Sequence, residues 1–173
     1  MTLNKACINE LNLLKEICIE AYSLNFDNHW NAGGLEWYLD KEFSSKKLES
    51  DLKDENIAYF FINYKQKNVG FVKLIINSKL NGISENLSEL EKIYILPKYK
   101  NMGIGTLALK AVINKVKDNH KGYLFLDVMD SNKCAIAFYK KFSFKLHDTT
   151  VFNAPYFKEE LKGMQIMIKK IKP

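Results

Sequence analysis

The chain has 173 residues, 47% of them hydrophobic and 13% aromatic, which is enough to bury the core of one domain spanning residues 1–173. Its net charge of +6 comes from lysine without arginine, the usual contact to bases and phosphates, and this disfavours a dedicated DNA-binding protein. It has no apolar run of about 20 residues and no signal-peptide pattern, so we expect a cytoplasmic protein without membrane contact.

The first half of the chain is predicted to form helices and then a hairpin, because the spacing of apolar residues changes from helical to alternating. The predicted elements are, in order, a short strand at 2–6, helices at 8–24, 35–43 and 44–54, strands at 57–64 and 69–76, and a polar loop at 77–88. Three cysteines without metal-ligand spacing are predicted to be reduced core thiols, and no metal site is expected.

A strand, a basic glycine loop and a helix follow one another in the middle of the chain. The strand covers residues 91–96 and ends at Pro97, which cannot donate a hydrogen bond to a sheet. The first N–H groups of a helix are unpaired and lie at its positive end, and small residues let a phosphate approach them closely. The sequence therefore predicts an anion-binding loop, in which Gly103 and Gly105 give access and Lys98 and Lys100 supply charge.

The last part of the chain alternates helices with strands. The predicted elements are a helix at 103–118, a strand at 123–128, a helix at 132–141 and strands at 144–152 and 164–171. This order predicts an α/β (α+β) protein with a mixed central sheet of about six to seven strands and helices on both faces.

Two motifs resemble those of the GCN5-related N-acetyltransferase (GNAT) family. They are Lys100-x-x-Gly103-x-Gly105 after an Ile-Tyr-Ile strand, and Asn132-x-x-Ala135-x-x-Phe138-Tyr139-x-Lys141. The order of predicted elements also matches that fold over nearly the whole chain. The resemblance implies splayed central strands and an acetyl-CoA-dependent N-acetyltransferase. Two departures are Lys100, where the family has Gln or Arg, and Ser143, where it commonly has Gly.

The resemblance also implies where acetyl-CoA would bind. The backbone of Ile93, Tyr94 and Ile95 would meet the acetyl and pantetheine part, and the loop would hold the pyrophosphate. The loop residues are Lys100, Asn101, Met102, Gly103, Ile104, Gly105 and Thr106, and the second motif adds Asn132, Ala135, Phe138, Tyr139 and Lys141. Asn132 is also placed to cap the helix that follows it.

Two residues are implied as catalytic. Tyr139 stands where the family usually has a general acid, which would protonate the departing thiolate. Glu91 stands where family members that acetylate polyamines carry a glutamate that deprotonates the amine, directly or through water. A base is needed because an alkyl ammonium has a pKa of about 10.4 and is mostly charged near neutrality.

Several segments resemble the bacterial spermine/spermidine N-acetyltransferases, so the acceptor is predicted to be a polyamine or another small amine. The segments are 38–43, 47–52, 59–62 and 70–73. The distribution of charge agrees with this prediction. Residues 20–55 carry a net charge of −5, which suits a cationic acceptor, and residues 56–173 carry a net charge of +11, which suits an anionic cofactor. The predicted acceptor site contains His29 and Trp30 with the acids Glu36, Asp40 and Glu42.

Other functions remain open at this point. The acceptor could be a protein N-terminus or lysine side chain, and a non-catalytic acyl-CoA sensor would bind cofactor without turnover. A dinucleotide-binding protein is disfavoured, because the glycine turn comes late and no acid about 20 residues on ends a second parallel strand. Nucleic acid is not an expected partner, and a homodimer is compatible with the sequence.

Overall fold

The computed structural model describes residues 1–171, without the side chains of Ser84 and Glu85. Strands and α-helices follow one another in nearly the predicted order. The strands are β1 Thr2–Lys5, β2 Ile57–Tyr64, β3 Lys67–Leu80, β4 Ile83–Ile95, β5 Tyr123–Met129, β6 Lys145–Val151 and β7 Gly163–Lys170, and the helices are α1 Leu11–Phe26, α2 Gly34–Phe43, α3 Ser45–Lys53, α4 Ile104–Asp118 and α5 Lys133–Lys141. No helix in this part of the chain is long and apolar enough to cross a bilayer.

The strands form one mixed sheet in the order β1-β2-β3-β4-β5-β7-β6. Neighbours are antiparallel except for β4 and β5, which are parallel, and the last strand inserts between β5 and β6. The predicted mixed sheet of six to seven strands is therefore confirmed. A parallel pair needs a crossover connection, and α4 supplies it.

Each face of the sheet is covered by helices, because side chains alternate between faces along every strand. Phe60 and Ile62 of β2 pack into the core that contains Leu109 of α4 and Ile136 of α5. The alternate residues Tyr59 and Phe61 turn to the other core, where they pack with residues of α1, α2 and α3. The prediction of helices on both faces is thus confirmed.

The predicted loop at 77–88 is wrong, because β3 and β4 continue through most of it as a long hairpin. The strands meet at Asn81 and Gly82, and Gly82 takes a φ of 81° that favours glycine. Polar side chains in this region bond across the hairpin: Ser88 Oγ donates to the Ile76 carbonyl at 2.8 Å. Asn-Gly between two alternating runs is a hairpin signal, and the polar composition concealed it.

The parallel pairing of β4 and β5 stops early, and this opens the middle of the sheet. It covers Leu87–Glu89 on β4 and Tyr123–Phe125 on β5. Beyond this point β4 remains paired with β3, and β5 remains paired with β7. The predicted splay of the central strands is therefore confirmed, and it leaves a gap between the ends of β4 and β5.

The prediction of three core cysteines is correct only for Cys18, since Cys7 and Cys134 are exposed. Helical spacing placed Cys134 on an apolar stripe. In α5, however, the fully buried position is Ile136, two residues further along, so Cys134 lies on another side of the helix.

Replacing Ser143 with glycine should stabilise the fold. Ser143 follows α5 with a φ of 64°, and its N–H donates to the Lys140 carbonyl at 2.9 Å. A side chain is strained in this left-handed conformation, so we expect Ser143→Gly to raise the free energy of unfolding by about 0.5–1 kcal/mol. Urea denaturation measures this change, and Ser143→Ala, which keeps a Cβ, should show no gain. An equal gain for both variants would contradict the strain.

Candidate active site

A cleft of about 750 Å³ opens where β4 and β5 separate. Its two walls are the ends of these strands, and the loop before α4 and the start of α5 close one side. Residues of α1 and α2 border the other side, together with the segment after β6. A cavity of this size is typical of a small-molecule site.

The loop before α4 offers a row of unpaired backbone donors. Within the described residues, none of the N–H groups from Asn101 to Thr106 donates a hydrogen bond, and the first bond of α4 runs from the Leu107 N–H to the Gly103 carbonyl. Gly103 has a φ of 74°, which turns the chain into the helix. Unpaired donors at a helix start bind anions, so the predicted anion-binding loop has the geometry that it needs.

The edge of β4 that faces the cleft also carries free backbone groups. Ile95 lies opposite Gly70 and the Leu96 N–H donates to the Val69 carbonyl, so the groups of Ile95 point away from β3. Alternation turns Ile93 the same way and points the backbone of Tyr94 toward β3. The Ile95 carbonyl accepts a bond from Asn25 Nδ2 at 3.0 Å. An extended ligand can therefore pair with the backbone of Ile93 and with the N–H of Ile95, whereas Tyr94 borders the cleft but turns its backbone groups toward β3.

The second motif places Asn132 and Tyr139 on the opposite wall. Asn132 Oδ1 accepts a hydrogen bond from the Ala135 N–H at 3.1 Å, so the predicted helix cap is confirmed. Tyr139 borders the cleft, and its hydroxyl makes no hydrogen bond to a described residue. Burial, with a smaller contribution from Tyr94, raises the pKa of Tyr139 above its ordinary value, so the phenol stays protonated.

These features agree with a comparison against protein families. The sequence model described as "Acetyltransferase (GNAT) family" matches residues 19–144, which is most of the chain. The chain belongs to this family. GNAT enzymes take their acetyl group from acetyl-CoA, and this chain is an acetyl-CoA-dependent N-acetyltransferase.

Among curated relatives, this GNAT chain is 27% identical over 154 residues to a spermidine N(1)-acetyltransferase of Thermoplasma acidophilum, covering 85% of this chain and 89% of the relative. It is also 26% identical to an uncharacterized N-acetyltransferase of Methanocaldococcus jannaschii, covering 98% of this chain and 67% of that one. Both relatives are N-acetyltransferases by name, and their low identity leaves the acceptor of this chain to be proposed.

Solved structures share the GNAT fold of this chain. The PaiA N-acetyltransferase of Thermoplasma acidophilum in complex with coenzyme A gives a TM-score of 0.75 at 22% identity, covering 98% of this chain and 99% of the other. The ribosomal-protein-S18-alanine N-acetyltransferase of Escherichia coli gives 0.69 at 20% identity, covering 99% and 94%. At these identities the likeness concerns the fold alone.

The cleft fits acetyl-CoA, since it combines free loop amides, the free edge of β4 and a nearby phenol. Most residues predicted for the cofactor border it: Ile93, Tyr94, Ile95, Lys100, Asn101, Gly103, Gly105, Thr106, Asn132, Ala135, Phe138 and Tyr139. Three others do not. Met102 and Lys141 are exposed outside the wall, and Ile104 is buried in the core with only its N–H near the loop.

Of the three α2 acids predicted for the acceptor site, Glu42 borders the cleft, whereas Glu36 and Asp40 do not. Glu36 and Asp40, four residues apart, lie on the exposed side of α2, away from the cleft. Tyr38 and Glu42, also four residues apart, border the cleft instead. The burial of Tyr38 decides this orientation, because a helix turns its large apolar side chains inward.

His29 and Trp30 also lie outside the cleft wall. Trp30 is buried against Tyr38 and Phe157, with ring centroids at 5.0 and 4.8 Å. His29 packs on Phe26, and burial, followed by the charge of Lys158, lowers its pKa below the ordinary value. Both residues therefore support the wall from behind.

Two carboxylates that sequence reasoning missed border the cleft near the point of splay. Glu89 ends the parallel pairing of β4, and its Oε2 accepts a hydrogen bond from Ser78 Oγ at 2.9 Å. Asp127 lies on β5 two residues beyond the partner of Glu89. Burial raises the pKa of both groups. The signal in the sequence that could have identified these two carboxylates is the alternation of acids with apolar residues in β4 and β5.

Proposed function

We propose that this GNAT enzyme acetylates a primary amine of a polyamine such as spermidine or spermine. The observation that carries the proposal is the lining of the cleft, to which three elements contribute carboxylates and which also contains several aromatic rings. The carboxylates are Glu42, Glu89 and Asp127, and the rings are those of Tyr22, Phe26, Trp37, Tyr38 and Tyr94. Carboxylates attract ammonium groups, and aromatic faces bind both cations and alkyl chains.

The rings form one connected wall. Tyr22 stacks on Tyr38 with centroids 4.4 Å apart, and Tyr94 meets Tyr22 and Phe26 edge-on at 5.7 and 5.0 Å. Burial, partly offset by the charge of Lys92, raises the pKa of Tyr94 to about 12, so this ring is neutral at working pH. A neutral aromatic wall beside carboxylates suits an amine with a long methylene chain. The relative named as a spermidine N(1)-acetyltransferase supports the same choice.

The reaction is direct transfer within a ternary complex. Glu91, at the cleft, receives the ammonium proton directly or through water, and the free nitrogen lone pair attacks the thioester carbonyl. The new C–N bond forms as the C–S bond breaks, and the thiolate takes the proton of the Tyr139 hydroxyl. The second proton that the nitrogen loses as it becomes an amide restores the Tyr139 hydroxyl, and Glu91 releases its proton to solvent. Acetyl-CoA supplies the activated acyl group, and the protein supplies orientation and both proton positions.

Thiol release from acetyl-CoA across a panel of amines tests this proposal. The panel contains spermidine, spermine, an alkyl diamine, an alkyl monoamine of equal length and a peptide with a free N-terminal alanine. If the carboxylates hold a second ammonium, kcat/KM for the diamine should exceed that for the monoamine at least about tenfold, and the difference should shrink at high salt.

Three outcomes would replace the proposal. Preference for the peptide would favour a protein N-terminal acetyltransferase. Equal rates for the diamine and monoamine would remove the polyamine assignment. Cofactor binding by calorimetry without thiol release from any amine would favour an acyl-CoA sensor.

A further inference from the structure

Six charged side chains form a continuous chain of ion pairs of alternating sign next to the acceptor end of the cleft. In order they are Lys47, Asp51, Lys73, Glu91, Lys92 and Glu42. The Nζ of Lys73 lies 3.0 Å from Asp51 Oδ2 and 2.9 Å from Glu91 Oε2. The Nζ of Lys92 contacts Glu91 Oε1 and lies 3.0 Å from Glu42 Oε2. Lys73 Nζ also lies 3.1 Å from Glu91 Oε1, so the two lysines between them contact both oxygens of Glu91.

Burial makes these lysines unusual. Lys73 is 3% exposed and Lys92 is 5% exposed, whereas the Glu91 side chain keeps 24% of its surface open. Buried ion pairs add little stability, because the loss of hydration offsets their attraction, and apolar side chains of similar volume often serve as well. The feature that needs two buried ammonium groups is therefore the carboxylate between them, which is the most exposed member of the trio and borders the cleft.

A bulge in β4 brings the three side chains together. Lys73 of β3 lies opposite Lys92 and Leu74 lies opposite Leu90, so Glu91 is an extra residue without a partner on β3. In a regular strand, neighbouring side chains point to opposite faces. A bulge re-aims the extra side chain, so Glu91 reaches both lysines on the same side of the sheet.

The lysines dominate the electrostatic environment of Glu91. The titratable groups around it are Lys73 of β3, Lys92, Glu89 and Tyr94 of β4, Asp127 of β5, Tyr59 of β2, Cys18 of α1, Tyr38 and Glu42 of α2 and Asp51 of α3. Burial alone would raise the pKa of Glu91, but Lys92 and then Lys73 outweigh it and hold that pKa below its ordinary value. Glu89, two residues away without a lysine partner, has a raised pKa instead.

We propose that Lys73 and Lys92 are positioning residues that hold the Glu91 carboxylate in one orientation, aimed into the acceptor end of the cleft. This assignment rests on the function proposed above, in which Glu91 meets the acceptor amine. Two ammonium groups on two oxygens leave the carboxylate few rotamers. One of its lone pairs remains for a water molecule or the incoming nitrogen. Lys47, Asp51 and Glu42 in turn fix the far sides of the two lysines.

The test replaces Lys92 with methionine, which keeps the length of the side chain and removes its charge. The titration of Glu91 is followed by carboxyl carbon NMR, with the signal assigned from its loss in Glu91→Gln. Loss of the Lys92 cation, which lies within about 4 Å, should raise the midpoint of the Glu91 titration by about one to three pH units. A depressed pKa means that the group is ionised down to low pH, so in Lys92→Met the acid limb of kcat/KM should move to higher pH. At neutral pH, kcat/KM should fall about 10- to 100-fold.

Two controls separate this effect from general damage. Glu42→Gln removes the other partner of Lys92 but keeps its charge beside Glu91, so the Glu91 midpoint should not rise. Lys53→Met removes an exposed ion pair with Glu49 on α3 and should leave both the midpoint and kcat/KM unchanged. If Lys92→Met fails to fold, Lys73→Met repeats the test with the other lysine, since Asp51 keeps Lys47 and Tyr59 as partners.

A wild-type midpoint and pH profile in Lys92→Met, with only a lower melting temperature, would overturn the proposal and leave the lysines as structural residues. Absence of turnover with every amine in the wild-type enzyme would instead remove the proposed function. The NMR midpoint does not depend on turnover, so it decides the positioning in either case.

Discussion

Replacing Tyr139 with phenylalanine should lower kcat about 10²- to 10⁴-fold, because it removes the hydroxyl that we propose protonates the departing thiolate. The phenol borders the cleft, makes no hydrogen bond to a described residue, and stays protonated because burial raises its pKa. Phenylalanine fills the same space against Phe138 and Phe144, so the fold and the affinity for CoA should change little. Steady-state kinetics with the best amine of the panel, together with calorimetry of CoA, measures both quantities.

Tyr123→Phe is the matched control. Tyr123 is the first residue of β5 and lies outside the cleft wall. The substitution removes the same hydroxyl oxygen as Tyr139→Phe, but at a position away from the proposed reaction. Its kcat should stay within about twofold of the wild-type value, as for a change outside the site. A kcat of Tyr139→Phe that matches the wild type would exclude Tyr139 as the proton donor, and water would then protonate the thiolate.

Replacing Gly105 with valine should raise the Kd for CoA about 100-fold. A Cβ at this position would lie 3.7 Å from Ile95 Cδ1 and 3.9 Å from Phe138 Cζ, which is ordinary contact, so the protein itself has room for it. The branched side chain would stand between the diphosphate and the free amides. Loss of two charge-assisted hydrogen bonds of about 1.5 kcal/mol each corresponds to this change in Kd.

Leu107→Val controls for a β-branched residue in the first turns of α4. Leu107 is exposed two residues further along and does not border the cleft, so CoA affinity should be unaffected. Thermal unfolding of Gly105→Val should stay near that of the wild type, since valine is no worse in a helix than glycine. Wild-type affinity for CoA in Gly105→Val would show that the diphosphate binds elsewhere.

The cofactor half of the site could be predicted because it depends on short segments of sequence. The glycine turn before α4, the Asn132 cap and the Phe138-Tyr139 pair act through local backbone geometry, and each lies where the motifs placed it. The splay was implied by the family resemblance, and the end of pairing at Glu89 confirms it. Local rules are sufficient where the ligand contacts the main chain of one loop and one strand.

The acceptor half could not be predicted in the same way, because it is assembled from elements far apart in the chain. Whether Glu36 or Glu42 meets the cleft depends on which side of α2 the core takes, and Tyr38 decides this by burial. The lysine contacts of Glu91 depend on a bulge whose register is set by β3. A sequence pattern gives the period of a strand but not an inserted residue within it.

The early end of the β4–β5 pairing also bears on how the protein avoids aggregation with other chains. Strand edges with unsatisfied hydrogen-bonding groups invite any extended polypeptide to add itself. Here such an edge lines a cleft that residues of α1, α2 and α5 also border, among them the aromatic residues Tyr22 and Phe138. The enzyme can therefore leave unpaired backbone groups accessible to a narrow small molecule, while another polypeptide chain cannot reach them to form an aggregate.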